Sequence, residues 1–526
     1  METVNPYDKS RDTGAVQELA DRMFEALAQH FPVCSASDEF HYFPQAQPAE
    51  HDWSRWDDFS PDAVEEMASK LSAWEKDLSD LGKNQLDRDT RVDVSLLCQV
   101  ARTLREQLTE VRSQQIQPTF YLTIAGIGLA ETMDQDPLAW KARVKSLPAF
   151  LDRARRHLRQ MPSLFRDLGL EMIGPTRSWL ASVSPIRPGV QPVLEALDRF
   201  EGHLRQASPR DTFLLAPELV ERIVCDHTGC GMGTEQTRKA LDEEIREMKQ
   251  IMDEEARRLS PAASWQAAFE AMPLPHLPDD GLVGLYREAV SALGRHCLEK
   301  DLVAPDLFCS CPVRVEPVPS YLTTIRSAAA YSIPPGHPPR GGTFFIIDAD
   351  SLQRVPRALY RDYPMLAAHE TYPGHHLLDV SRWGLGRALR RPIEFPIFYE
   401  GWACFAEELL THTGYFQGPA DRLLLARRHF WRAIRGKVDL DIQTGTKDLA
   451  AAAGCLAQAG MSHDRAASVV RKYALKPGYQ LCYTMGVRRF RDLYERFTGD
   501  GPRDFVRQVL AEGEIGFDDL ASVLVS

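Results

Sequence analysis

The feature that most constrains this chain is a short run of metal-binding residue types between His369 and His376. It reads His-Glu-Thr-Tyr-Pro-Gly-His-His. A histidine followed directly by glutamate, with further histidines about two turns later, is the residue set of a catalytic divalent metal. Imidazoles bind such an ion, and the neighbouring carboxylate takes a proton from the attacking water. The run therefore predicts a zinc-dependent hydrolase.

The spacing of this run differs from that of a regular metal-binding helix. A regular helix places its two imidazoles at positions i and i+4, but position i+4 is Pro373, which cannot donate to the His369 carbonyl and crowds it. On a straight helix, His375 would point about 120° away, and His376 would lie about 10 Å further along the axis. We therefore predict that the helix bulges after Glu370 and delivers His375 to the metal. His376 remains the alternative ligand, or a contact to a ligand or substrate.

A second motif supplies the remaining ligand. It reads Glu-Gly-Trp-Ala from Glu400, with Glu407 seven positions further on, so that the two carboxylates share one face of a helix. The chain between His375 and Glu400 is long enough for a turn and a returning helix. We predict that His369, His375 and Glu400 hold one Zn²⁺ ion. Glu407 is either a carboxylate that supports a ligand or a helix-packing acid.

Two cysteine clusters offer other soft ligands. One contains Cys225, His227 and Cys230, and the other contains Cys309 and Cys311. Neither has the paired Cys-x-x-Cys spacing of a structural zinc site. We therefore predict a single metal ion and reduced thiols.

The charge balance argues against nucleic acid as a partner. The 526 residues carry a formal net charge of −12, whereas phosphate binding needs a basic surface. The N-terminus shows no basic region followed by an apolar run, and no stretch reaches the roughly 18 consecutive apolar residues of a membrane span. We expect a cytoplasmic protein without a membrane partner. The sequence does not determine the oligomeric state, and a homodimer is one of the states it allows.

Helical periodicity dominates the chain, and strand-like patterning is confined to residues near 313–350. We predict a mainly α fold with an N-terminal helical region, 1–215, and a catalytic helical region, 216–526, in one interlocked unit. The predicted strands are 313–319 and 342–348, with Tyr331 in the loop before the second. The predicted helices include 61–81, 88–114, 138–160, 192–206, 233–257 and 481–497, with Pro137 and Pro217 at or near helix starts.

At these residues the chain resembles the family called domain of unknown function 885, whose members are regarded as zinc metallopeptidases. The resemblance spans roughly residues 16–520. It implies a large helical zincin-like (gluzincin) fold, with a deep cleft flanked by the N-terminal region and a small β-sheet at the active site. Gln443 stands where many relatives carry histidine, so we assign it no acid–base or oxyanion role. The matching residues are 369–376, Glu400–Ala403, Glu407, Tyr331, Pro334, Pro335, Gly342–Phe344, Pro477, Gly478, Tyr483 and Gly486.

The expected mechanism gives the remaining polar residues catalytic or substrate-binding roles, and the tyrosines and arginines among them also have an ordinary structural interpretation. Glu370 is the general base. Tyr483 is the first candidate donor to the developing oxyanion and Tyr331 the second, unless they are ordinary core tyrosines. Arg488 or Arg489 could receive a substrate carboxylate, unless they form plain ion pairs.

Three functions fit this residue set. The first is a metallopeptidase for short peptides, of the exopeptidase or dipeptidase kind. The second is an amidohydrolase acting on a non-peptide amide or a peptide-like metabolite of a biosynthetic pathway. The third is a metal-binding protein without catalysis, against which the retention of Glu370 argues.

Overall fold

The described chain is mainly helical and divides into two compact units. One unit contains the chain up to Leu219 together with Gly386–Glu394, and the other contains residues 220–318, 328–385 and 395–526. The predicted boundary near residue 215 and the predicted cleft stay predictions. The computed structural model describes residues 6–47, 52–183, 189–318, 329–349 and 359–525.

The first unit is built from helices that pack side by side. A short segment from the second half of the chain joins it because Arg390 donates to Asp93 Oδ1 at 2.6 Å and His41 lies 3.2 Å from Glu394. Its helices are α1 (Pro6–His30), α2 (Pro61–Leu81), α3 (Arg88–Glu106), α4 (Ser113–Ile116), α5 (Pro118–Gln135), α6 (Pro137–His157), α7 (Ser163–Val183) and α8 (Gln191–Gln206), with 3-10 turns at Cys34–Ala36 and Ala388–Arg390 and a π-helix at Gln107–Val111.

Predicted helix starts are confirmed where a cap or a proline marks them. The Ser60 side chain accepts a hydrogen bond from the Ala63 amide, and α2 begins at the proline between them. Helix α6 begins at Pro137. The predicted helix 88–114 is correct as far as Glu106 and wrong beyond it, because the α-helix there becomes a π-helix and Arg112 adopts a left-handed conformation with φ 57°.

The second unit carries most of the later helices and the described strands. Helix α9 (Pro217–Arg222) contains the boundary at Leu219. Helices α10 to α13 are Thr234–Leu259, Trp265–Ala271, Gly281–Glu299 and Pro305–Ser310, with a π-helix at Ile223–His227. Helices α14 to α22 are Tyr363–Glu370, His375–Trp383, Pro396–His412, Pro419–Gln443, Leu449–Gln458, His463–Tyr473, Tyr479–Arg496, Gly501–Glu512 and Phe517–Leu524.

A three-stranded sheet lies where the strand-like patterning predicts it. Strand β3 (Thr343–Ile346) is central, with β1 (Arg314–Pro317) parallel to it and β2 (Ala329–Ser332) antiparallel. Tyr331 belongs to β2 and pairs with Phe344, so its predicted place in a loop is wrong. A four-residue strand that begins with two alanines lacks a strand pattern of its own and is defined by its pairing to β3. Pro319, at the end of the first predicted strand, lies outside the described residues.

Candidate metal centre

We predicted that the helix does not continue straight after Glu370. In the structure the helix is interrupted completely at this point. Helix α14 ends at Glu370, the next four residues form bends, and α15 begins at His375. The Gly374 amide donates to the Ala368 carbonyl at 3.0 Å, which turns the chain back toward the end of α14. The break replaces the bulge that we predicted, and it changes the direction of the chain before the second histidine.

Two close contacts hold this break in place. A Cβ atom at Gly374 would lie 1.9 Å from the His369 carbonyl oxygen and 2.4 Å from that of Ala368. On the other side, the indole of buried Trp402 donates to the Pro373 carbonyl at 3.0 Å. The chain can therefore follow this path only with glycine at position 374.

Replacement of Gly374 by alanine is expected to displace His375 and to lower zinc affinity by about 10- to 100-fold, the loss seen when the support of a ligand is removed. The measurement is zinc retained after dialysis against a graded chelator. Gly454→Ala, in α18 where a Cβ meets nothing within 4 Å, is the matched control. Equal zinc affinity in both variants would show that the Gly374 contact does not position the histidine.

The break brings three side chains together. Nε2 of His369 and Nε2 of His375 each lie 3.5 Å from Oε2 of Glu400. All three candidate ligand atoms lie within 4.8 Å of one another. Two ligand atoms at about 2.0–2.1 Å from one tetrahedral zinc ion are about 3.4 Å apart. The two nitrogen–oxygen distances therefore match those of a tetrahedral metal site, and the three atoms together could hold one ion.

The charges around these atoms also fit a cation. Oε2 of Glu400 is buried, and its polar neighbours at 3.5 Å, Nε2 of His369 and Nε2 of His375, are too far away for a well-formed hydrogen bond; such a carboxylate oxygen is costly unless an ion binds it. Burial alone would raise the pKa of Glu400, but the neighbouring imidazoles of His369 and His375 hold it well below its ordinary value. Burial lowers the pKa of His369, and the carboxylates of Glu400 and Glu407 outweigh burial and raise it. A metal ion would take the place of a proton in this cluster.

Glu407 supports the first histidine from behind. Its Oε1 lies 3.1 Å from Nδ1 of His369, which leaves Nε2 facing Glu400. Arg428 and Arg432 each donate to both oxygens of Glu407, at 2.6–3.1 Å. Burial would raise the pKa of Glu407, yet these two arginines hold it well below its ordinary value. A carboxylate that fixes the ring of a ligand histidine is a common feature of metal sites.

A close helix crossing places two tyrosines beside the ligands. Helices α16 and α20 touch at two glycines, where a Cβ at Gly401 would lie 2.5 Å from the Gly486 Cα. The phenol of Tyr479 donates to Oε1 of Glu400 at 2.5 Å. Tyr483 lies with its ring 6.5 Å from that of His369 and nearly parallel to it. Burial and the charge on Glu400 raise the pKa of both phenols well above the ordinary value, so they stay protonated.

Solvent reaches the side chains next to the candidate ligands, whereas the candidate ligands themselves are buried. The two histidines and Glu400 are only 4–5% exposed, whereas Glu370, Tyr479 and Tyr483 keep partial exposure. Desolvation raises the pKa of Glu370, which favours a carboxyl that can exchange a proton. The arrangement therefore offers a partly exposed carboxyl and two neutral phenols next to a buried cation site.

His376 lies apart from the three converging atoms. It is fully buried, with Nδ1 2.9 Å from the Tyr331 phenol oxygen and Nε2 2.9 Å from the Cys311 carbonyl oxygen. Burial lowers its pKa to about 4, so the ring is neutral. Tyr331, our second oxyanion candidate, faces this histidine and thereby joins β2 to the start of α15.

The other predicted residues lie elsewhere in the second unit. Arg488 donates to Glu244 and Glu243, and Arg489 donates to Asp518. Gln443 is buried and donates to Asp439 and to the Tyr473 carbonyl. Within the described ranges, no other set of three or more His, Cys, Asp or Glu side chains converges as a metal site, and the two cysteine clusters form none.

Several residues of the site were not predicted. They are Tyr479, Arg428 and Arg432, together with Tyr399, whose ring stacks on His375 at 4.0 Å. The two arginines are four positions apart on α17, and Tyr479 is four positions before Tyr483 on α20. Such spacing places each pair on one helix face, but it does not say which face meets the ligands.

Comparison with known protein families finds a match over most of this chain. A family model described as bacterial protein of unknown function (DUF885) matches residues 46–524. The chain belongs to the DUF885 family. A comparison of this DUF885 protein with curated proteins finds no match.

Two solved structures share the fold of this DUF885 protein. One is a candidate lipoprotein of unknown function from Shewanella oneidensis, with a TM-score of 0.73, 16% identity, and coverage of 96% of this chain and 99% of that one. The other is a candidate lipoprotein from Colwellia psychrerythraea, with a TM-score of 0.78, 16% identity, and coverage of 96% and 98%. At this identity the likeness shows the fold alone.

The location and assembly of this DUF885 protein stay predictions. No helix in the described part of the chain is long and apolar enough to cross a membrane. The expected cytoplasmic location, the absence of a nucleic-acid partner and the oligomeric state are not tested by these likenesses.

Proposed function

We propose that this protein is a zinc-dependent hydrolase that cleaves amide bonds of short peptides, and that its helical second unit is a zincin-like catalytic unit. One observation carries the proposal: two imidazole nitrogens each lie 3.5 Å from one carboxylate oxygen, close enough for all three atoms to hold one ion, directly beside a partly exposed glutamate. The 4–5% exposure of the ligand side chains favours small or extended substrates over folded proteins.

Each residue of the site has a separate task in this proposal. When bound, the zinc ion would act as a Lewis acid and lower the pKa of water toward about 7. Glu370 accepts the proton of the attacking water and returns it to the leaving amine. Tyr483 donates a hydrogen bond to the carbonyl oxygen of the substrate as negative charge develops there.

The remaining residues hold this arrangement rigid. Tyr479 fixes Glu400 through its hydrogen bond to Oε1, and this leaves Oε2 for the ion. Glu407 fixes the ring of His369, and two arginines hold Glu407. Such outer partners keep the ligands in one geometry.

Metal reconstitution and a peptide panel test this function. We expect the purified protein to bind one zinc ion per chain and to hydrolyse N-acetyl peptides or dipeptides only after zinc is restored to the metal-free form. Glu400→Ala is expected to lower zinc affinity by more than about 100-fold, because loss of a direct ligand exceeds the 10- to 100-fold cost of losing an outer partner.

The panel also separates the other functions. Turnover confined to acyl-amino acids or other non-peptide amides would replace the peptidase with an amidohydrolase. Zinc binding without turnover of any amide would indicate a metal-binding protein. Unchanged zinc affinity in Glu400→Ala would overturn the assignment of the third ligand.

A further inference from the structure

The arginines of α17 near the metal centre differ in how their charge is balanced. Arg428 and Arg432 share the carboxylate of Glu407. Arg435, one turn further along, forms no ion pair with any carboxylate of the described residues. Its Nε donates to the side-chain oxygen of Gln480 at 2.9 Å, and its Nη2 donates to the same neutral oxygen.

Arg435 lies at the edge of the proposed catalytic site. Its guanidinium carbon is 4.8 Å from the centre of the Tyr483 ring, and that ring is 6.5 Å from the ring of His369. The side chain keeps partial exposure, as Tyr483 does. Arg435 therefore places a positive charge next to the phenol that we assign to the carbonyl oxygen of the substrate.

Two carboxylates, Glu400 and Asp439, act on this charge without forming an ion pair with it. Glu400 is engaged by two imidazoles and by Tyr479. Asp439 accepts a hydrogen bond from the Gln480 amide at 3.0 Å, and burial raises its pKa to about 7. A carboxylate stabilises a half-buried arginine, and the planar guanidinium group can bind one through two hydrogen bonds. Arg435 forms no ion pair with the described residues, so it can bind the carboxylate of an incoming substrate.

We infer that Arg435 binds the free carboxylate of the peptide substrate, so that the enzyme cleaves at most two residues from the carboxyl end. The inference rests on the proposed function and deepens it. The Tyr483 ring lies 4.8 Å from the guanidinium carbon of Arg435 and 6.5 Å from the ring of His369. The distance from the guanidinium to the His369 ring cannot exceed the sum of these two distances. After about 4 Å for the salt bridge, the remainder is covered by one or two extended residues of about 3.5 Å each.

This assignment replaces the one made from sequence. Arg488 is neutralised by Glu243 and Glu244, and Arg489 by Asp518. A substrate carboxylate would have to displace those acids, whereas at Arg435 it displaces none.

Matched peptide pairs test the inference. The substrates are N-acetyl tripeptides that end in a free carboxylate or in a carboxamide, and the zinc-loaded full chain is the enzyme. We expect the wild type to favour the carboxylate in kcat/KM by about 10- to 100-fold, the range for a charge-assisted hydrogen bond. Arg435→Gln is expected to lose most of this preference, through the carboxylate substrate, with zinc content retained. Arg435→Lys should keep part of it.

A binding measurement separates recognition from turnover. Calorimetry with the same peptides carrying a reduced, uncleavable amide bond should show the carboxylate form binding more weakly to Arg435→Gln by a similar factor. Arg488→Gln is the control and should keep the full preference.

The outcomes test the role of Arg435 and the proposed function separately. Equal cleavage of both peptides by the wild type, an unchanged preference in Arg435→Gln, or a preference lost in Arg488→Gln would overturn the role of Arg435 while leaving a peptidase. Hydrolysis of neither peptide would overturn the proposed function, and the reduced peptides would then decide on Arg435 by binding alone.

Discussion

Glu370→Gln is expected to lower kcat by about 10²- to 10⁴-fold, the contribution of a positioned general base. The amide keeps the shape of the side chain but cannot accept a proton. Glu370 directly follows His369, one of the proposed ligands, and is partly exposed, whereas the proposed ligands are buried. The measurement is the steady-state rate on a peptide that the wild type hydrolyses, with zinc content determined on the same sample.

The control for this substitution is Glu235→Gln, at the start of α10, where the side chain is 92% exposed. We expect wild-type turnover in the control and unchanged zinc content in both variants. Full turnover by zinc-loaded Glu370→Gln would refute the role of this carboxylate and leave the base unassigned.

Glu407→Gln is expected to have the largest effect on stability. The substitution leaves Arg428 and Arg432 without the charge that both share, although Arg428 keeps Asp362 at 3.0 Å. Breaking a buried ion pair from one side costs about 3–5 kcal/mol of unfolding free energy. Zinc affinity should also fall by about 10- to 100-fold, because the ring of His369 loses its partner. Urea unfolding and chelator competition measure the two effects.

The neighbouring residue provides a matched control. Glu408 is also on α16, and it pairs with Arg491 at 2.5 Å and His429 at 3.0 Å instead of contacting a ligand. Glu408→Gln should destabilise the fold yet leave zinc affinity within about twofold of wild type. If both variants lost zinc affinity equally, the loss would reflect general destabilisation and not the contact with His369.

Local sequence patterns predicted the helices with a polar face. Helix α2 agrees with its cap and periodicity, and α8 agrees within one residue of the predicted 192–206. Helix α5 was not predicted, because periodicity depends on contrast between two faces. Its residues Tyr121, Leu122, Ile124 and Leu129 are all at most 5% exposed and leave little contrast.

Some residues of the candidate site could likewise be predicted from local sequence patterns, and others could not. The spacing of the motifs predicted that His375 and Glu400 join His369, because a proline excludes the ordinary helix and the chain before Glu400 is long enough for a turn and a returning helix. Arg428 and Tyr479 reach the site through contacts of α16 with α17 and α20, which no single stretch of sequence encodes. The preference for Arg435 over Arg488 as an anion site likewise required knowing which acids surround each of them.

The contact between Gly401 and Gly486 limits how the proposed activity could be changed by engineering. The two backbones are already as close as α16 and α20 can come, and a Cβ at Gly486 would lie 2.1 Å from the Ile397 carbonyl oxygen. Any larger side chain must spread the helices and move the phenols of α20 away from the carboxylate of α16. Libraries that aim at the proposed activity should therefore keep both glycines and vary the partly exposed positions of α17 instead.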